Sequence, residues 1–402
     1  MRAMKDSGIE WIGEIPQEWH VDRLKYCADL DSEKLSEKTD PEYTFNYIDI
    51  SSVTEYGGIG NTQEMTFEKS PSRARMVVHD GDTIISTVRT YLKAIAYIDG
   101  LEDHICSTGF CVVTPNEKLH PKFGYFLLQS DYFVKKIVSE SVGVSYPAIS
   151  STEIGNMSIA IPVPEEQARI ACYLDAKCAE IDALIAAKEK TNALLKERRQ
   201  SIIYEAITKG LNPDVPMKDS GIEWIGQIPE HWGMMRAKYF AEITNGSDPK
   251  TEGDIPVYGS GSESFRTCGE FKEGPVVLLG RKGATLHIPH YVDGKYWNVD
   301  TAFDVRTNEK VCLLKFYYYA SICFDYKLYI STTTLPSMTQ YNYGNMFIPI
   351  PSVEEQAEIL KHIERKLSEL DHVIASAEDN IQKLKEYRQS VIYEAVTGKI
   401  EV

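Results

Sequence analysis

Residues 165–208 leave this chain few choices of fold, because Gln167 to Thr208 holds neither glycine nor proline while Pro162 and Pro164 precede it and Gly210 and Pro213 follow. Such punctuation predicts one long helix. Within it Ala171, Leu174, Cys178, Ile181, Ile185, Leu195, Ile202 and Ala206 fall at steps of three and four or their sums, the pattern of a coiled-coil seam. Lys188, Asn192 and Arg199 interrupt that seam and are expected to set its register. A helix of this length runs roughly 60 Å at 1.5 Å per residue. It cannot bury its own seam, so it needs a partner.

The partner is 189 residues further on, as Glu354 to Thr397, with Leu360, Ile363, Leu367, Leu370, Ile374, Ala377, Ile381, Leu384 and Val391 on the seam. Between Glu197–Thr208 and Glu386–Thr397 nine of twelve positions are identical. Two matched helices imply one rod. A second repeat precedes each: residues 4–19 return as 217–232 with thirteen of sixteen identical, and the copies hold Trp11, Trp19, Trp224 and Trp232. An exposed aromatic pair could be a ligand platform. Burial as a staple against a helix is the better expectation, since indole is a large apolar body with one polar tip.

Between these repeats, residues 30–156 and 244–345 alternate short strands with turns and share a sparse skeleton. Gly81 to Ile85, then Arg89, then Tyr97 to Gly100 answer to Gly274 to Leu278, then Arg281, then Tyr291 to Gly294. Thr108-Gly109-Phe110 matches Thr301-Ala302-Phe303, and Lys122-Phe123 matches Lys315-Phe316. The predicted fold class is therefore α/β, two similar globular domains each followed by a long helix, the helices pairing as an antiparallel coiled coil with pseudo-two-fold symmetry. Expected boundaries are 1–155, 156–212, 213–345 and 346–402. The tips differ where the scaffold agrees: residues 86–91 are unlike 279–284, and 141–146 unlike 331–335. That suits a molecule reading two different things.

With 402 residues, 43% of them hydrophobic, the chain can bury more than one core. It has no apolar run near membrane-spanning length and no secretory leader, and its eight cysteines form no Cys-x-x-Cys pair or zinc spacing, so a reducing cytoplasm is expected. The net charge of −16 opposes nucleic acid as a partner unless basic groups cluster locally or another protein assists.

The chain resembles the specificity subunits of Type I restriction-modification enzymes. The likeness rests on Trp-Ile-Gly-x-Ile-Pro-x-x-Trp, on Ile-Pro-x-x-Glu-Glu-Gln at Ile161–Gln167 and Ile350–Gln356, and on the Arg-Gln-Ser-x-Ile-Tyr-Glu-Ala-x-Thr close of each helix. It covers essentially the whole chain. The resemblance implies a non-catalytic subunit whose two target-recognition domains each grip half of an asymmetric, interrupted double-stranded DNA site. It also implies two methyltransferase subunits docked on the helices and two restriction/translocase subunits, no membrane, and S-adenosylmethionine, ATP and Mg held by those partners.

Base edges are read by Arg, Lys, Asn and Gln, with hydroxyls serving phosphates and mixed edges. Arg89 and Arg281 are the first candidates, set against a fold-supporting ion pair; Lys282 is assigned to phosphate. Ser86, Thr87, Tyr91, Ser145 and Tyr146 in the first domain, and Thr332, Thr333, Thr334 and Gln340 in the second, suit groove contacts. Glu197, Arg198, Gln200, Glu386, Arg388 and Gln389 are candidates for partner docking, against a merely solvated face. Two rival functions are weaker. An autonomous methyltransferase needs an Asn/Asp-Pro-Pro-aromatic motif, and Asn212-Pro213-Asp214-Val215 lacks its second proline and aromatic. A coiled-coil adaptor for protein ligands suits the acidic charge but predicts no DNA affinity.

Overall fold

The computed structural model describes residues 2–402 apart from 11, 55, 102, 144–146, 262 and 331–334, and at 91 the backbone alone. The chain divides into two compact units, Met1–Glu189 with Asp379–Val402, and Lys190–Glu378. Each takes part of both long helices, Pro164–Lys209 and Val353–Val396. No described helix is long and apolar enough to cross a membrane.

The two units repeat one topology. In the first, a sheet runs Gln63–Thr66, Thr44–Ile48, His104–Ser107, Ala74–Val77, beside a second running Ala28–Leu30, Phe110–Pro115, Thr83–Ser86, Ile95–Tyr97. The second unit has Ser264–Cys268, Ile255–Tyr258, Lys295–Asn298, Lys272–Glu273 and then Ala241–Asn245, Ala302–Thr307, Val276–Gly280, His290–Val292, in the same orders. In both, the first sheet holds one parallel pair among antiparallel neighbours. Central strands such as Val276–Gly280, buried along their whole length, explain why their sequences read as unbroken apolar runs. The sparse shared skeleton therefore encodes one fold twice, as expected.

Within each unit the helical stretches run antiparallel. In the first, Asp182 meets Arg388 and Glu189 meets Lys385; in the second, Lys196 meets Glu378 and Arg199 meets Asp371. Of the three polar residues expected on the seam, Arg199 reaches Asp371 and Asn192 Nδ2 donates to Glu378 at 3.4 Å, whereas Lys188 is exposed and off the seam. Ala171, Leu174, Cys178, Ile181 and Ile185 are buried, but beyond Asn192 the seam turns, with Ile203 and Ile207 fully buried and Ile202 only half-buried. A strict heptad reading drifts around a straight helix, which accounts for the shift.

The Glu-Glu-Gln motif fastens each globular domain to its helix. Gln167 donates to the carbonyls of Lys118 and Pro162 at 2.9 and 3.0 Å and accepts from the N–H of His120 at 2.8 Å. Gln356 repeats this with Val311, Pro351 and Leu313, at 2.8, 3.1 and 2.8 Å. Both side chains are buried. The staple reading fits the second tryptophan of each copy, while Trp224 is half-buried and Trp11 lies outside the described residues: Trp19 is fully buried against Phe123 and donates Nε1–H to Glu166 at 3.1 Å, on the first turn of the helix. Trp232 is equally buried, but its Nε1 has no hydrogen-bond partner among the described residues, and Glu355 at the matching place pairs with His231 instead.

Candidate nucleic-acid interface

The strand Thr83–Ser86 ends where the first domain's tip begins, and its last residues face inward. Ser86 is buried and donates Oγ–H to the Val88 carbonyl at 2.6 Å; Thr87 is buried and donates Oγ1–H to Gly109 at 2.9 Å. These hydroxyls shape the turn rather than reach outward, a correction to the groove contacts expected of them. The Gly109 carbonyl also accepts the Thr87 N–H at 2.8 Å, so side chain and backbone fix the turn together.

Beyond them the backbone becomes unusual. Arg89 has φ 51° and ψ 48°, and Lys93 has φ 53° and ψ 34°, so two non-glycine residues in the left-handed region bracket the single turn Thr90–Leu92. Each costs roughly 1–3 kcal/mol, and such residues gather at functional sites. Arg89 and Lys93 are both exposed and line a groove of about 1140 Å³ within the first unit. Its other wall is the second long helix, through Gln382, Lys385, Arg388 and Gln389. Arg73 enters from the loop before Ala74–Val77, held there by its carbonyl, which accepts from Thr108 at 2.8 Å.

In a chain of net charge −16 the groove lining carries, among the described residues, Arg73, Arg89, Lys93, Lys385 and Arg388 against one carboxylate, Asp49. Asp49 is itself committed to a helix cap, accepting from the N–H groups of Ser51 and Ser52 at 2.8 and 3.2 Å. Three of the cations carry carboxylate partners outside the lining: Asp131 for Lys93, Glu189 for Lys385 and Asp182 for Arg388. The lining itself is thus richer in cations than in carboxylates, although three of its cations are paired from outside. Arg73 and Lys93 were missed from sequence because only strand pairing, which brings Thr108 to Arg73, assembles the groove.

The second domain arranges its tip differently. Arg281 is half-buried, donates Nη1–H to the Asp300 carbonyl at 3.2 Å and lies 6.0 Å over the Phe303 ring. It forms no ion pair among the described residues, yet it serves the fold. Nor is it Arg89's equivalent: the bridge Val88 to Ala148 corresponds to Lys282 to Ser337, so Arg281 precedes the bridge where Arg89 follows it. Counting from the strand start gave a false match because the two loops leave their strands in different registers. Lys282 is exposed beside this bridge, and Gln340 donates Nε2–H to the Ile243 carbonyl at 2.7 Å. Ser145, Tyr146, Thr332, Thr333 and Thr334 lie outside the described residues, as does the side chain of Tyr91.

On the helices, Glu197, Arg198, Gln200 and Glu386 are exposed, as docking requires. Arg388 is not: it is 4% exposed, held by Asp182 and Gln129 and stacked 5.5 Å from the Tyr56 ring. An arginine at a helix end reads as a solvated charge, but here it points between the helices and into the domain. Gln389 is half-buried on the groove wall, and its buried Oε1 has no hydrogen-bond partner among the described residues.

Known proteins agree with this architecture. The family model described as the type I restriction modification DNA specificity domain matches residues 16–196 and 229–386. The type I restriction enzyme MjaIX specificity subunit of Methanocaldococcus jannaschii is 22% identical over 97% of this chain and 95% of its own. The EcoDI specificity subunit of Escherichia coli is 22% identical over 69% and 70%. A solved chain from work on complex assembly and conformational transition of the type I R-M system shares the fold, with TM-score 0.73, 24% identity and coverage of 96% of this chain and 99% of that one. With both repeats spanned by the family model, this chain belongs to the type I restriction-modification DNA specificity family and is a non-catalytic DNA-recognition subunit.

Proposed function

We propose that the two units are separate reading heads, each recognising one half of an asymmetric, interrupted duplex sequence, with the paired helices setting the interval between halves. The single observation that carries this reading is one topology built twice with unlike tips. Identical heads would suit a palindrome; unlike heads suit two different half-sites. In the first head the basic groove lies along the DNA, Arg89 and Lys93 meeting phosphates or base edges; in the second, Lys282 does so. Phosphate contacts position the duplex, and the few side chains reaching base edges specify it.

The exposed helix residues Glu197, Arg198, Gln200 and Glu386 dock two methyltransferase subunits, and two restriction/translocase subunits complete the assembly. S-adenosylmethionine, ATP and Mg belong to those partners. This chain's own work is to hold DNA in register for them.

The test is DNA binding by the chain co-purified with its methyltransferase subunit, titrated with salt. Steep salt dependence and a preference for one duplex over scrambled competitors support the reading, since each neutralised phosphate adds about 0.9 to the log–log slope. An intact complex with no DNA affinity would favour the adaptor function.

A further inference from the structure

We propose that the second long helix is itself part of the DNA-reading surface of the first head, with Lys385 on a phosphate and Gln389 on a base edge, facing Arg73 across the groove. This rests on the reading of the units as DNA-recognition heads and adds a second wall to one of them. A spacer helix and a reading helix are different things.

Three observations support it. First, Lys385 and Gln389 line the same 1140 Å³ groove as Arg73 and Arg89, one turn apart on the helix. Second, among the described residues the buried Oε1 of Gln389 has no hydrogen-bond partner and the Arg73 side chain, exposed at the groove, has no ion pair. Turned from its buried position into the groove, a glutamine amide offers the donor and acceptor that match the adenine edge, and an exposed guanidinium matches guanine or phosphate. Third, repeat symmetry separates the helix-pairing role of Lys385 from any other. Its mate Lys196 makes the corresponding ion pair, Lys196 to Glu378 at 2.8 Å against Lys385 to Glu189 at 3.3 Å. Lys196 has a side chain 57% exposed, Lys385 one of 28%, on the wall of the groove.

The experiment compares Lys385→Met, Gln389→Glu and Arg73→Ser with Lys196→Met, each in complex with the methyltransferase subunit. The readouts are affinity for duplex DNA carrying the motif methylated by the wild-type complex, its salt slope, and recovery of the complex. Lys385→Met and Arg73→Ser are expected to weaken binding roughly tenfold and to lower the slope by about 1 each. Gln389→Glu should relax discrimination at one position of the first half-site, and Lys196→Met should match wild type. Equal losses for Lys385→Met and Lys196→Met would reduce Lys385 to helix pairing and overturn the inference while the two-headed reading stands. Failed recovery of the methyltransferase subunit with the first three variants would instead make this wall a protein-docking face. A wild-type complex without site-specific binding would remove the reading itself, and the inference with it.

Discussion

The Arg388 guanidinium holds the Asp182 carboxylate at both ends, Nε to Oδ1 at 2.8 Å and Nη2 to Oδ2 at 3.2 Å. Earlier by 189 residues, Arg199 repeats the pair with Asp371 through one bond at 3.0 Å. The sequence motif is shared, but the surroundings are not. The Arg388 and Asp182 side chains are 5% and 26% exposed, those of Arg199 and Asp371 33% and 52%.

Burial should therefore separate two mutations that look alike in sequence. Arg388→Ala strands Asp182 and Gln129 and is expected to cost about 3 kcal/mol, the range for breaking a buried pair. Arg199→Ala is expected to cost less than about 1 kcal/mol, because solvent screens its pair. Chemical denaturation of the two variants checks this, and equal costs would contradict it.

Gln167 and Gln356 each join a domain loop, a proline carbonyl and a helix start through three hydrogen bonds. Gln167→Ala leaves the His120 N–H and two carbonyls without partners, and a loss of about 2–4 kcal/mol is expected. Gln356→Ala should do the same in the second unit. Hydrogen exchange at His120 and Leu313 would locate each effect; loss of protection elsewhere but not there would refute the assignment.

Much of this architecture is legible in the sequence. The helices, the duplicated scaffold and the burial of Trp19 and Trp232 follow from periodicity, from glycine and proline placement and from repetition, all local or self-aligning signals. The groove did not follow, because Arg73, Arg89 and Gln389 are brought together only by strand order and helix docking. Arg388 misled for a related reason: composition marks a residue as charged, while burial depends on which face of the helix meets the domain. Arg89 and Arg281 were paired by counting along loops whose registers differ.

Acid should weaken the first staple in a defined way. Burial pushes the Glu166 carboxyl up, but its bonds to Arg2 and Trp19 outweigh this and hold it below the usual range. A depressed carboxyl contributes its full stability above its unfolded value of about 4.3 and loses it as pH falls through the folded value. Glu166→Gln is therefore expected to destabilise the first unit at neutral pH while flattening the decline below about pH 4. Denaturant midpoints at pH 7 and in acid check the sign; an unchanged acid decline would refute it.

The left-handed backbone at Lys93 predicts a trade between stability and binding. Glycine adopts φ near 53° without strain, so Lys93→Gly should stabilise the chain by roughly 0.5–1 kcal/mol. Its exposed pair with Asp131 offsets little of this. The same variant should bind DNA several-fold more weakly. Thermal denaturation and a binding titration test both halves, and a Lys93→Gly chain less stable than wild type would contradict the account.

The most direct test of the two-headed account is methylation mapping in a host that carries the chain with its cognate methyltransferase subunit, before and after residues 30–156 are exchanged for the matching segment of a relative. The account predicts an asymmetric motif with modified adenines in both halves, of which one half changes and the other, with the interval between them, stays. A motif that changed in both halves, or a chain that co-purified with its partner yet directed no methylation, would contradict it.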